Sequence, residues 1–94
     1  MNKIMTIYDI YEIPDKGLII GGLNPEFDAM SREQIRKLIG NFIEIHKKSG
    51  PTTKVHIMDV QISNSLINKK NIDILLPKYV KKEDIERGDV VYSM

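Results

Sequence analysis

The alternation of apolar and polar residues predicts a chain built mainly from short β-strands. Residues 4–13 are rich in Ile and Tyr, as strands are, and residues 18–23 are their return strand in a hairpin. Pro14-Asp15-Lys16-Gly17 between them has turn chemistry, because Pro presets φ and Gly accepts positive φ. The adjacent Gly21 and Gly22 indicate a bulge or a close approach of two backbones. Further strands are predicted at 41–46, 53–63, 72–76 and 90–92.

Strict alternation also assigns each side chain of the two longest strands to a face. In the first strand it groups Ile7, Asp9, Tyr11 and Ile13 on one face, and Tyr8, Ile10 and Glu12 on the other. In the strand at 53–63 it groups Val55, Ile57 and Asp59 against His56, Met58, Val60 and Ile62. Both faces of the first strand carry apolar groups, so we expect its outer face to be partly covered.

One short helix is predicted between the second and third strands. Ser31 is a suitable N-cap, and Gln34, three residues later, can complete a capping box. Ile35, Leu38 and Ile39 form one apolar face, and Gly40 can end the helix. Several short strands with one helix and tight turns favour a mainly β fold, a small antiparallel β-barrel with a helical insertion.

Length and composition predict a single domain spanning residues 1–94. The 14 basic and 13 acidic residues leave a net charge of +1, which is less basic than proteins that coat nucleic acids. The chain has no cysteine, and its apolar runs are far shorter than the about 20 residues that cross a bilayer. We therefore expect a cytoplasmic protein that does not associate with membranes.

The sequence contains no pattern typical of a catalytic, metal or nucleotide site. No phosphate-binding loop or dinucleotide fingerprint is present, and the two histidines have no metal-ligand spacing. We expect His46 to be exposed at a strand end and His56 to be half-buried and hydrogen-bonded. The prediction is a protein that is not an enzyme, with no cofactor, no metal and no bound nucleotide.

The end of the chain resembles the close of the second domain of elongation factor Tu and related translational GTPases. The matching residues are Asn71-Ile72-Asp73-Ile74-Leu75-Leu76 and the segment 80–91, which contains Lys81-Lys82-Glu83-Asp84-Ile85-Glu86-Arg87-Gly88-Asp89. Residues 7–22 are similar to the opening hairpin of that domain, and residues 53–62 match its middle strand more loosely. In the closing segment we expect Ile85 to act as an apolar plug and Gly88 to adopt positive φ.

In that family the second domain helps to hold the aminoacyl end of transfer RNA. By position, the resemblance implies a binding surface formed by Asp9, Tyr11, Lys16, Gly17, Gln61, Asn64 and Asn71. Gln61 stands where the family usually has glutamate, and Asn64 where it has arginine. The region 24–40 is enlarged by the helix, and these 94 residues include no GTPase domain, so we expect no GTP-dependent delivery cycle.

Two functions remain open from the sequence. The first is a non-catalytic binding module that contacts RNA or translation components through the hairpin and loop rim. The alternative is a protein-interaction or regulatory domain that kept the barrel but lost transfer RNA binding. A protein partner predicts an exposed apolar patch involving Tyr79, Tyr92 or the pair Leu66-Ile67.

Overall fold

The computed structural model describes residues 2–65, 67 and 69–94, and nearly half of them lie in β-strands. The strands are β1 (Lys3–Ile13), β2 (Gly17–Leu23), β3 (Phe42–His46), β4 (Thr52–His56), β5 (Asp59–Asn64), β6 (Lys70–Leu75) and β7 (Val90–Ser93). The described part of the chain has one α-helix, α1 (Arg32–Ile39), and short 3-10 turns at Pro25–Phe27 and Lys82–Asp84. The prediction of a mainly β fold with one short helix is confirmed.

The strands form one antiparallel sheet in the order β4-β3-β7-β1-β2-β6-β5. The predicted hairpin joins β1 to β2, and the last strand, β7, lies between β1 and β3. One face of the sheet carries the apolar core. It includes the fully buried Ile20, Ile43, Ile72, Ile74 and Val91, together with Ile35 and Ile39 from the helix.

The helix begins and ends where the sequence predicts. The Ser31 hydroxyl accepts a hydrogen bond from the Gln34 amide (3.1 Å), and the Gln34 side chain accepts one from the Ser31 amide (2.9 Å). Gly40 has φ +71 and donates to the Arg36 carbonyl, which ends the helix. Ile35 and Ile39 then attach α1 to the core beside β7.

The first strand does not alternate as predicted, because β1 contains a bulge. The pairing with β2 shifts between Ile7 and Asp9, so that Tyr8 is an extra residue. Ile7 is fully buried, whereas Asp9 and Tyr11 are exposed on the opposite face. The prediction that Ile7, Asp9 and Tyr11 share one face is therefore wrong, and the apolar groups on both faces reflect the bulge.

The predicted strand 53–63 is two strands that bend at Ile57 and Met58. The Ile57 amide donates to Asn41 beside β3, whereas the Met58 amide donates to Leu75 of β6, so the bend leads from one end of the sheet to the other. The alternation changes phase across this bend. Val55, before the bend, and Ile62, after it, are both buried. They are seven positions apart, so a continuous strand would direct them to opposite faces. The prediction of one continuous strand with fixed faces is wrong.

The closing segment has the predicted architecture. Ile85 is buried, and Gly88 has φ +94. The Gly88 amide donates to the Ile7 carbonyl (2.8 Å), and the Ile7 amide donates to the Asp89 carbonyl (2.9 Å), which ties the segment to β1. The fully buried Asp89 carboxylate accepts bonds from the Lys48 and Glu86 amides. The segment is a structural joint that returns the chain to the sheet.

Candidate functional site

Four adjacent strands, β1, β2, β6 and β5, present one continuous outer surface, which we call the four-strand face. Residues paired directly across antiparallel strands point to the same side of a sheet. Three rows of such pairs form the face, namely Tyr11, Ile19, Leu75 and Asp59; Asp9, Gly21, Asp73 and Gln61; and Leu23, Asn71 and Ser63. The intervening residues, among them Ile20, Ile72 and Ile74, are buried in the core.

Two shallow depressions occupy the four-strand face. The larger, of about 390 Å³, lies around the first two rows and is also lined by Ile13 and Lys16 from the hairpin end. The smaller, of about 270 Å³, lies between the second and third rows and is lined in part by Tyr8 and Asn71. Tyr11 and Asp73 line both depressions, so the two form one continuous open groove.

Gly21 shapes the middle of this groove because it has no side chain. A Cβ atom at that position would lie 2.6 Å from Asp73 Oδ1 and 3.6 Å from the Asp9 Cβ atom. The Asp73 carboxylate therefore occupies space beside the Gly21 backbone that a larger residue would fill. Asp9 is on the other side of Gly21, in the next strand.

Burial raises the pKa of Asp73 above its ordinary value, and the negative charge of Asp9 raises this pKa further. Among residues 2–65, 67 and 69–94, the ion pairs join His46 to Glu44 and Lys48 to Glu86. Neither Asp9 nor Asp73 therefore has a cationic partner within salt-bridge distance in this part of the chain. The middle of the groove holds neighbouring carboxylates whose repulsion is not neutralised.

The structure brings together five of the seven residues that the resemblance implied. Asp9, Tyr11, Lys16, Gln61 and Asn71 all line the two depressions. The remaining two residues, Gly17 and Asn64, line neither depression.

Gly17 and Asn64 do not contribute side chains to the groove. Gly17 has φ +131, and a Cβ atom there would lie 2.5 Å from the Leu76 carbonyl oxygen, so the hairpin itself requires this glycine. Asn64 follows Gln61 by three residues in β5, and strand alternation directs it to the opposite side.

The residue set that the resemblance implied does not include Asp59 and Asp73, although both belong to this surface. Both belong to the rows that contain Tyr11 and Asp9. Asp73 lies between the buried Ile72 and Ile74, and Asp59 precedes the inward-facing Val60. This alternation indicates that both aspartates point outward. Their position opposite Asp9 follows from long-range pairing, which no local pattern specifies.

The histidines differ from expectation and indicate no metal site. His46 is half-buried, hydrogen-bonded to Glu44 (2.7 Å) with its ring 4.4 Å from that of Tyr92. His56 is exposed, with its ring edge against Phe42 at a centroid distance of 5.0 Å. Within the described residues, no group of three His, Cys, Asp or Glu side chains could hold a metal ion.

The residues named for an apolar protein-binding patch are only partly exposed. Tyr79 and Ile67 are largely exposed, whereas Tyr92 is half-buried; Leu66 lies outside the described residues. The four-strand face instead combines two exposed tyrosines, Tyr8 and Tyr11, with half-buried apolar residues.

Comparisons with protein-family models, curated proteins and solved structures find no match to this chain. The similarity to the second domain of elongation factor Tu stays a prediction from the quoted motifs. In the part of the chain that the structure describes, every helix is too short to span a membrane.

Proposed function

We propose that this chain is a non-catalytic binding module whose barrel resembles the second domain of translational GTPases, and that the four-strand face is its ligand-binding surface. The observation that carries the proposal is the convergence of Asp9, Tyr11, Lys16, Gln61 and Asn71 on one groove. These residues come from three strands and one turn, and they lie far apart in sequence.

The path of the chain at the two ends of the sheet supports a closed barrel. β4 and β5 are the outermost strands, and only Ile57 and Met58 separate them in sequence. The amides of these two residues bond to opposite ends of the sheet, at 2.8 Å to Asn41 and 3.0 Å to Leu75. A sheet whose ends are joined in this way curls around its apolar face.

The character of the groove supports binding rather than catalysis. It is shallow and open, and it presents aromatic, amide and carboxylate groups across four strands. Catalysis favours an enclosed pocket in which polar groups converge on the substrate. Neither histidine lines the groove, and its three aspartates line an open surface rather than such a pocket.

Two classes of ligand follow from the two functions that the sequence left open. The resemblance favours RNA or a translation component that exposes an RNA end. The charge of the face favours the alternative, a protein partner, because three aspartates and one lysine line the groove. Phosphate groups would be repelled there, since nucleic-acid affinity depends on lysine and arginine.

Affinity purification from cells, with separate identification of the RNA and protein recovered, tests the proposal. Tyr11→Ala and Gln61→Ala remove contacts from the face without disturbing the core, because both side chains are exposed. Glu33→Gln is a matched control, since Glu33 is exposed on α1, which packs beside β7, and it lines neither depression of the groove. We expect loss of the same partner with both face variants and full recovery with the control. Normal recovery with the face variants would overturn the assignment of this surface.

A further inference from the structure

We propose that the four-strand face binds an extended peptide segment of a partner protein, with an arginine or lysine side chain of that segment placed between Asp9 and Asp73. This inference rests on the proposed function and names the ligand class of the same surface. The charge, the apolar floor and the width of the groove each support it.

The groove is acidic in a chain that is otherwise almost neutral. Three aspartates and one lysine line its two depressions, whereas the whole chain has a net charge of +1. Lys16 lines only the larger depression, at the hairpin end, and the smaller depression has carboxylates and no basic residue. Charge complementarity therefore favours a cationic group at the centre of the face and disfavours a phosphodiester chain.

The two central carboxylates make an ammonium or guanidinium group the best complement. Asp9 and Asp73 flank Gly21, and neither forms a salt bridge to any described residue. Burial, and after it the charge of Asp9, raises the pKa of Asp73, and a cation that contacts both carboxylates would offset both effects. A guanidinium group can donate to both at once because of its forked donors.

The rest of the groove suits the aliphatic stem and the neighbours of such a residue. Ile19, Leu23 and Leu75 are half-buried and form an apolar floor, while Tyr8 and Tyr11 are 57% and 53% exposed. Long basic side chains lie along apolar surface, and tyrosine faces attract cations. These contacts add to the charge interaction, which in an open groove would otherwise be weak.

The width of the face indicates a peptide rather than a free amino acid. Four strands at a spacing of roughly 4.8 Å span about 14 Å, which equals about four extended residues. The two depressions are continuous through Tyr11 and Asp73, so a chain can cross the face without interruption. The basic residue would lie near the middle of that segment, with apolar residues on either side.

Selection of random short peptides on the immobilised 94-residue chain, at physiological salt, tests the inference directly. We expect enrichment of arginine or lysine at one position next to apolar residues. A synthetic peptide of the selected sequence should bind at least about tenfold more tightly than its uncharged analogue, with citrulline in place of arginine or acetyl-lysine in place of lysine. Asp9→Asn and Asp73→Asn should each reduce this difference, and Glu33→Gln should leave it unchanged.

The outcomes separate this inference from the proposed function. Selected peptides without a basic position, or equal affinity of the uncharged analogue, would overturn the inference. A parallel selection from random RNA that recovers binders dependent on Tyr11 and Gln61 would also overturn it, but would support the four-strand face as the binding surface. Basic peptides that bind equally well to the Tyr11→Ala, Gln61→Ala and Asp73→Asn variants would overturn both.

Discussion

Gly21 and Gly22, which are adjacent in β2, provide the sharpest test of the geometry of the four-strand face. Substitution by alanine should affect ligand binding at the first position and stability at the second. A Cβ atom at Gly21 would point toward Asp73 and Asp9 in the groove, whereas one at Gly22 would point toward Thr6 and the buried Met5. We expect Gly21→Ala to leave the fold stable and to perturb binding, and Gly22→Ala to destabilise the fold.

At Gly22 the added methyl group would meet the backbone. Its Cβ atom would lie 2.3 Å from the Thr6 carbonyl oxygen and 3.0 Å from the Met5 sulfur, and Met5 is fully buried. To reach an allowed distance, β1 and β2 must separate by several tenths of an ångström, which disrupts the central hairpin. Overpacking of this kind costs about 1–3 kcal/mol, and each kcal/mol lowers Tm by roughly 4–8 °C in a domain of this size. We therefore expect Tm to fall by about 5–20 °C.

At Gly21 the methyl group would meet only the end of a side chain. Asp73 Oδ1 lies 2.6 Å from the position that the Cβ atom would take, and the next contacts are at 3.6 Å or more. The carboxylate can rotate away, and alanine recovers about 0.5–1 kcal/mol of the conformational entropy that glycine loses on folding. Tm should therefore stay within about 5 °C of the unmodified chain. Affinity for the selected basic peptide should fall, because Asp73 no longer lies beside Asp9.

Thermal unfolding followed by circular dichroism, together with peptide titration of each folded variant, distinguishes the two effects. A stable Gly22→Ala variant would refute the close approach of β1 and β2. An unstable Gly21→Ala variant, or one that binds the peptide normally, would refute the described position of the Asp73 carboxylate.

Three further predictions concern single interactions. Since the folded chain raises the pKa of Asp73 above its ordinary 3.8, the ionised carboxylate costs stability at neutral pH, and that cost disappears as pH falls through the raised pKa. Asp73→Asn should therefore raise Tm at pH 7 and lose this advantage below about pH 3.8; a lower Tm at pH 7 would contradict it. Gly88→Val should cost about 1–3 kcal/mol because of the positive φ, by urea unfolding. The loss of stability should be similar when Lys48 is also replaced by alanine, since the nearest neighbours of the added Cβ atom belong to the flexible Lys48 side chain. A loss that occurs only when Lys48 is present would indicate a clash instead of backbone strain. Ser31→Ala should cost about 1 kcal/mol by the same measurement, and an unchanged stability would show that the helix cap is dispensable.

Local signals in the sequence were sufficient for the hairpin, the helix and the closing joint. The turn at 14–17, the capping box of Ser31 and Gln34, and the positive φ of Gly88 each depend on residues within a few positions of one another. The candidate surface was predicted only in part. Register across four strands, which sets Asp73 beside Gly21 and Asp9, depends on pairs of residues that lie far apart in sequence.

The two departures from regular alternation explain why the polar face exists at all. If β1 alternated regularly, Asp9 would share the inward side with the buried Ile7, and the extra residue Tyr8 prevents this. If residues 53–63 formed one straight strand, Asp59 and Gln61 would point to the same side as the buried Val55, and the bend at 57–58 reverses their orientation. Both irregularities therefore turn polar groups outward onto the same surface, one at each side of the four strands. Regular alternation in both segments would bury these polar side chains without hydrogen-bond partners, which would lower the stability of the fold. The bulge and the bend avoid this burial, and the groove is a consequence.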